Sequence, residues 1–158
     1  MQLLLDTREQ GVSIPAMSRS VGGQLDMTFD VRAEDLGTVR DIVQAHLCLW
    51  RIASGSIDLL LIVVNELLTN VIQHTAADGN GARMASLLLQ QVPDGVTAIV
   101  RDQDRCPLAR TASAGLLAEG GRGLMLVRAL ANDMSVSITP AGKDVWVFIA
   151  APTETERS

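Results

Sequence analysis

The stretch from Ile57 to Thr75, IDLLLIVVNELLTNVIQHT, constrains the fold more than any other part of the chain. It opens as an unbroken apolar run and then takes polar residues at helical spacing: Asn65, Glu66, Thr69, Asn70, Gln73 and His74. A helix advances about 100° per residue, so Glu66, Asn70 and His74 share one side, flanked by Thr69 and Gln73. Ile57, Leu60, Leu61, Val64, Leu67, Leu68 and Val71 fall on the opposite side. Such a helix buries one face and holds a carboxylate and an amide on the other. A plain solvated face has the same periodicity, but it normally mixes charge signs, and this stripe carries neither Lys nor Arg. Glu66 and Asn70 also sit one turn apart, where both side-chain oxygens can converge on one cation.

The rest of the chain supplies a core for that helix. At 158 residues, with 47% hydrophobic and 20% charged content, the sequence is expected to form one globular domain and not a disordered tail. Net charge is −5 and the 13 Lys and Arg are scattered, which argues against a nucleic-acid surface. The wholly apolar run Leu59 to Val64 is too short to cross a bilayer. The start, MQLLLDTREQ, has an early acid and no basic segment, so it does not read as a secretory signal, and the expected location is the cytoplasm. Cys48 lies in an apolar helical context and is expected in the core; Cys106 lies in a loop beside Arg105.

Taken in order, residues 1–23 read as a flexible N-terminal arm, 24–152 as the folded domain, and 153–158 as a polar tail. Leu25, Met27, Phe29 and Val31 alternate with polar neighbours and predict a half-buried strand. Ala33 to Ala53 predicts an amphipathic helix with Leu36, Val39, Ile42, Val43, His46, Leu47 and Trp50 inward; His46 on this face is expected as a satisfied core histidine. Ser54-Gly55-Ser56 is expected to close that helix and cap the next. Strands follow at Ala82–Val92 and Val96–Arg101 around a Pro93-Asp94-Gly95 turn, the second delivering Asp102 at its end. Pro107 to Glu119 reads as loop with some helical character, Leu124 to Ala131 as an apolar helix, and Met134–Thr139 and Val145–Ala150 as a last hairpin. Long helices on one side and tightly connected strands on the other imply an α+β two-layer sandwich and disfavour a doubly wound parallel sheet.

Two further clusters suit a phosphorylated ligand. Gly120-Gly121-Arg122-Gly123-Leu124 opens a helix, where backbone N–H groups and the helix dipole attract anions. It is not a dinucleotide fingerprint, since no strand precedes it, and it lacks the Lys-Ser/Thr of a P-loop. A glycine-rich turn before a helix explains it equally well in isolation. Asp102 in Val100-Arg101-Asp102-Gln103-Asp104 is a strand-end carboxylate that can accept a hydrogen bond from an adenine amino group, or simply start a turn.

Glu66 and Asn70 on a helix, then Asp102 at a strand end, then Gly121-x-Gly123 opening a helix form an ordered set that resembles the GHKL ATPase superfamily. NELLTNVIQHT is similar to its N box, VRDQD to its first glycine-box position and GGRGLMLVRALA to its second. The nearest likeness is to anti-sigma factor kinases of the RsbW type, as found in actinobacteria, over roughly Leu25 to Pro152. The resemblance implies the Bergerat ATP-binding sandwich, with a mixed, mainly antiparallel sheet. It implies that Asn70 supplies an oxygen to Mg2+, that Glu66 is the general base, and that Asp102 binds the adenine amino group. Gly121, Arg122, Gly123 and Leu124 would wrap the phosphates of ATP, with Pro107 to Glu119 as a mobile lid.

The same resemblance implies a serine/threonine kinase that binds a sigma factor and phosphorylates an anti-sigma antagonist, as a homodimer formed through its N-terminal strand and helix. The alternative is a non-catalytic module that senses ATP within a regulatory complex; a purely structural α/β adaptor is a third reading. The sequence departs from the family's usual Asp-x-Gly-x-Gly at Asp102-Gln103-Asp104-Arg105-Cys106. It departs again where Gly142 is followed by Lys143 and Asp144 in place of a common Thr, a third carboxylate expected to weaken ATP binding.

Overall fold

A computed structural model describes residues 17–102 and 121–151. The first strand, β1 (Met17–Val21), pairs with β2 (Gln24–Asp30) across a two-residue Gly22-Gly23 turn. Both glycines have positive φ, 45° and 84°, the conformation that a tight hairpin needs for its twist to match the strands. The expected loose arm therefore ends earlier than Gly23, and Met17–Val21 belongs to the sheet. The signal was present as adjacent glycines between two extended runs.

A 3₁₀ turn, Ala33–Asp35, leads into α1 (Leu36–Leu49), which stops short of the expected Ala53. The stop is a backbone cap. The Ile52 N–H donates to the Leu47 carbonyl at 3.1 Å and the Arg51 N–H to the Cys48 carbonyl at 3.0 Å, while Arg51 takes φ 59°. This is the Schellman arrangement, with an arginine at the left-handed position usually given to glycine. Buried Ile52 and Leu47 are the apolar pair that accompanies it. The chain passes directly into α2 (Ser54–His74), whose N-cap is Ala53 without a side-chain cap, so Ser54-Gly55-Ser56 starts the helix instead of capping it.

β3 (Met84–Val92) and β4 (Gly95–Asp102) follow as a hairpin, then α3 (Gly121–Leu130), β5 (Asp133–Thr139) and β6 (Gly142–Ala150). The six strands form one sheet in the order β1-β2-β3-β4-β6-β5, and every described pair is antiparallel where a mixed sheet was expected. Strand burial alternates: Leu25, Met27 and Phe29 on β2, Leu87 and Leu89 on β3, Val96, Ala98 and Val100 on β4, and Val145, Val147 and Ile149 on β6 all face the helices. α2 lies between α1 and α3 and over the central strands β4 and β6. The two-layer α+β sandwich is the architecture found.

α2 is long and apolar enough to cross a membrane, with mean hydropathy 1.6, more than the six-residue run Leu59–Val64 suggested. Its Leu60, Val63, Val64, Leu67, Leu68 and Val71 are buried against the sheet and neighbouring helices, so it serves as the central core helix. Leu61, expected inward, is only partly buried, and Val63 takes a full share of the core. On α1, His46 is buried as expected: its Nδ1–H donates to the Ile42 carbonyl at 2.8 Å, and its ring meets Trp50 edge-on at 6.2 Å. Cys48 is exposed, correcting the expectation of a core thiol. The buried stripe runs through Val39, Val43, His46, Leu47 and Trp50, and Cys48 falls outside it with exposed Leu49.

Candidate functional site

The antiparallel topology brings the end of β4, the start of β6, the start of β3, the end of β2 and the C-terminus of α2 to one end of the sandwich. Asp102 is the hub there, 1% exposed. Its Oδ2 accepts a hydrogen bond from the Thr75 hydroxyl at 3.2 Å, and its Oδ1 accepts one from the Lys143 backbone N–H at 3.1 Å. Each carboxylate oxygen is thus held by a donor from another element. A Cβ at Gly142, where φ is 152°, would overlap the Asp102 carbonyl oxygen and come within 3.2 Å of Oδ1, so only glycine lets β6 approach so closely.

Thr75 is the C-cap of α2 and is held twice. Its N–H donates to the Val71 carbonyl at 2.9 Å, and its own carbonyl accepts the Arg83 Nε–H at 2.9 Å. Arg83 in turn gives its backbone N–H to Asp30 Oδ1 at 2.8 Å, while Arg32 Nε–H binds Asp30 Oδ2 at 2.7 Å. Burial raises the Asp30 pKa, but the Arg32 hydrogen bond, the Arg83 amide and both guanidinium charges outweigh it and hold the carboxyl below its usual range. A polar chain therefore runs from the β2–β3 edge through Thr75 to Asp102.

Asn70 lies five residues before Thr75 on α2, roughly 7.5 Å along the axis. It is 3% exposed, and its Oδ1 is buried with no hydrogen-bond partner among the described residues. A buried amide oxygen in that state costs about 1–3 kcal/mol, so its retention needs a reason outside the folding of the chain. Glu66, one turn earlier on the same side of the helix, is half-buried. Gln73 and His74 are exposed. The stripe thus divides into a solvated end and an inward-turned Asn70.

Gly121, Arg122 and Gly123 form the first turn of α3, which packs along α2. The glycines are within the helix and not ahead of it. Leu124 is 1% exposed and its side chain belongs to the core, which leaves only its backbone for any ligand. Cys106, Gln103, Asp104 and the lid expected at Pro107–Glu119 lie outside the described residues. Asp144 does not add a third carboxylate beside Asp102. It alternates to the opposite face of β6, where Arg101 binds it through two hydrogen bonds of 2.8 and 2.9 Å. That far face also carries a groove of about 190 Å³ lined by Asp26, Thr28, Ser86, Leu88, Ile99 and Arg101, on the other side of the sheet from Asn70.

Sequence reasoning missed Thr75 and Arg83 as anchors of Asp102, and it placed Lys143 in a loop before a strand starting at Val145. The alternation Lys143, Val145, Val147, Ile149 could have extended that strand, but a lysine in phase with valines reads as an end and not as a buried position.

In chemical terms the site offers a fixed carboxylate acceptor at one place and an oxygen without a partner at another. Oxygen donors suit Mg2+, which commonly takes one or two protein ligands and completes its shell with phosphates and water. Among the described residues no group of three His, Cys, Asp or Glu is placed to hold a metal.

A solved structure of the RsbU and RsbW domains of a Mycobacterium tuberculosis protein has the same fold, at a TM-score of 0.63 and 18% identity, over 85% of this chain. The chain spans 35% of that longer protein. No curated protein matches significantly. Residues 29–149 match the family described as histidine kinase-like ATPase domain, a span that takes in Glu66, Asn70, Asp102 and Gly121–Gly123. The chain belongs to the histidine kinase-like ATPase domain family.

Proposed function

We propose that this protein is an ATP-binding regulator that acts as an anti-sigma factor and as a serine/threonine kinase toward an anti-sigma antagonist. The observation that carries the reading is the pair on α2: Asn70 with a buried oxygen that has no hydrogen-bond partner among the described residues, and half-buried Glu66 one turn away. Asn70 would hold Mg2+ together with the triphosphate, and the ion neutralises phosphate charge when bound. Asp102 accepts from the adenine amino group. The amides of the Gly121–Gly123 turn would bind the phosphates. Glu66 takes the proton of the attacking serine or threonine hydroxyl. Positioning and charge neutralisation supply most of phosphoryl-transfer catalysis, and a general base adds a factor of about 10² to 10⁴.

Phosphate transfer to a candidate antagonist, followed with wild type and Glu66→Gln, tests the kinase role. The variant should bind Mg2+–ATP as wild type does and transfer about 10² to 10⁴ times more slowly. Equal rates would remove the kinase and leave a sensor. That second reading, an ATP-dependent binding module without transfer, is favoured by the missing glycines after Asp102. It predicts ATP-dependent capture of a partner with no phosphorylated product. In either case the sigma factor and the antagonist would compete for one surface of a homodimer in the cytoplasm. The edge strand β1 and α1 are the elements offered for self-association.

A further inference from the structure

The six-stranded sheet has two faces, and the described helices cover one of them. An antiparallel sheet with one solvated side normally turns polar residues outward there. The centre of this outward face is apolar instead. Register sets Leu88 beside Ile99 and Ile99 beside Trp146, and strand alternation brings Phe148 to the same face. All four are half-buried. The groove of about 190 Å³, with Leu88 and Ile99 in its lining, lies on this face between Asp26 and Arg101.

The chain holds two Trp, two Phe and no Tyr. Trp50 and Phe29 are buried in the core, so the remaining aromatic rings, Trp146 and Phe148, are the ones turned outward. Aromatic side chains at the centre of a patch with polar residues around it are the usual composition of a protein interface.

Charge, shape and size select a second copy of this chain as the occupant. Arg101 is already bound to Asp144 through two hydrogen bonds, and Asp26 stands at the groove. Among the described residues the face therefore offers no cluster of unpaired cations to a nucleic acid or an anionic membrane. In shape, a twisted sheet packs on a sheet of matching twist with strands nearly aligned and about 10 Å between layers. A copy has that twist by identity, and a two-fold axis lets one patch serve both sides. In size, six strands about 4.8 Å apart, in seven-residue ladders at about 3.4 Å per residue, span about 570 Å² of flat area. Two such faces give about 1,100 Å² before side-chain relief is added, close to the range of about 1,200–2,000 Å² for stable interfaces.

We propose that the outward face of the sheet, centred on Leu88, Ile99, Trp146 and Phe148, is a two-fold interface between two copies of this chain. The inference rests on the self-association named above and assigns it to the face of the sheet, to which β1 belongs, in place of α1. It does not depend on a nucleotide.

Sedimentation equilibrium of the full chain over a dilution series, with and without Mg2+–ATP, is the test. Wild type should be a dimer in both conditions. Trp146→Glu should weaken association at least about tenfold. Ser135→Arg, at an exposed position opposite Trp146, should do the same without touching the core. Leu49→Glu, on the exposed side of α1, should leave the dimer as it is. Tryptophan emission should be redder in Ser135→Arg than in wild type, because Trp146 meets water while Trp50 stays in the core. That reading still decides the matter if Trp146→Glu folds poorly. A monomer at every concentration overturns the proposal and leaves the face to a different partner. So does a dimer that Trp146→Glu and Ser135→Arg leave intact, or emission that stays unchanged when Ser135→Arg dissociates. A dimer broken by Leu49→Glu alone would keep self-association and return it to α1. A dimer that binds no ATP would strike the nucleotide reading and leave this interface standing.

Discussion

At Asn70 the fold tolerates an amide that is 3% exposed and whose Oδ1 finds no partner. An oxygen in that state costs about 1–3 kcal/mol, and leucine has the same branched shape without the polar atoms. Asn70→Leu is therefore expected to stabilise the free protein by about 1–2 kcal/mol and raise its melting temperature by roughly 2–4 °C per kcal/mol. Mg2+–ATP binding should be lost in the same variant, a trade of stability against function. Melting curves and a nucleotide titration on one preparation check both halves. A lower melting temperature with binding intact would mean that the oxygen serves packing and not a ligand. The polar stripe on Ile57–Thr75 pointed to Asn70, but periodicity alone put it on an open helix face. Its burial is a tertiary property that the period of one helix does not carry.

At the scale of elements, the clamp at the β2–β3 end ties the sheet to α2. Asp30 accepts from Arg83 N–H and Arg32 Nε–H, and Arg83 Nε–H caps the Thr75 carbonyl. Because the folded Asp30 pKa lies below its ordinary value, despite the opposing effect of burial, its ionised form favours the native state. That contribution is fully present above the unfolded carboxyl value of about 3.9 and is lost as pH falls through the lower folded value. Asp30→Asn should destabilise by about 1.5–3 kcal/mol at pH 7, the range for hydrogen bonds to a charged group. The gap between variant and wild type should close as pH falls below about 4. Urea denaturation at a series of pH values measures it, and a gap independent of pH would assign the effect to shape instead of charge. Helix ends were the least legible elements. The stop at Leu49 depends on Arg51 at φ 59°, a cap without a glycine to announce it.

For the molecule as a whole, stability rests on α2, with apolar side chains buried against the sheet and against both neighbouring helices. Leu67 is 1% exposed there, and Leu67→Ala should cost about 2–5 kcal/mol through lost transfer energy and an unfilled cavity. Against a total of about 5–15 kcal/mol for a domain, that loss is large. It should appear as a lower urea midpoint with an unchanged slope, whereas a changed slope would signal an altered unfolded or native ensemble.

Alternation and helical period in the chain were enough to lay out the order of strands and helices and the two-layer packing, whereas Glu66, Asn70 and Asp102 were grouped only through the resemblance of their motifs to a family's boxes. These features are local: a period of two or of 3.6 residues declares an element and its inner face. The depth of each polar residue is not local. Asn70 is buried although its stripe reads as an open helix face, Lys143 is buried because β6 begins three residues earlier than expected, at Gly142, and Asp144 is turned away by one step of strand alternation to meet Arg101. Cys48 and Leu49 are exposed because they fall outside the buried stripe of α1. Burial, partner and register belong to contacts between residues far apart in the chain, and they exist only once the layers have closed on each other.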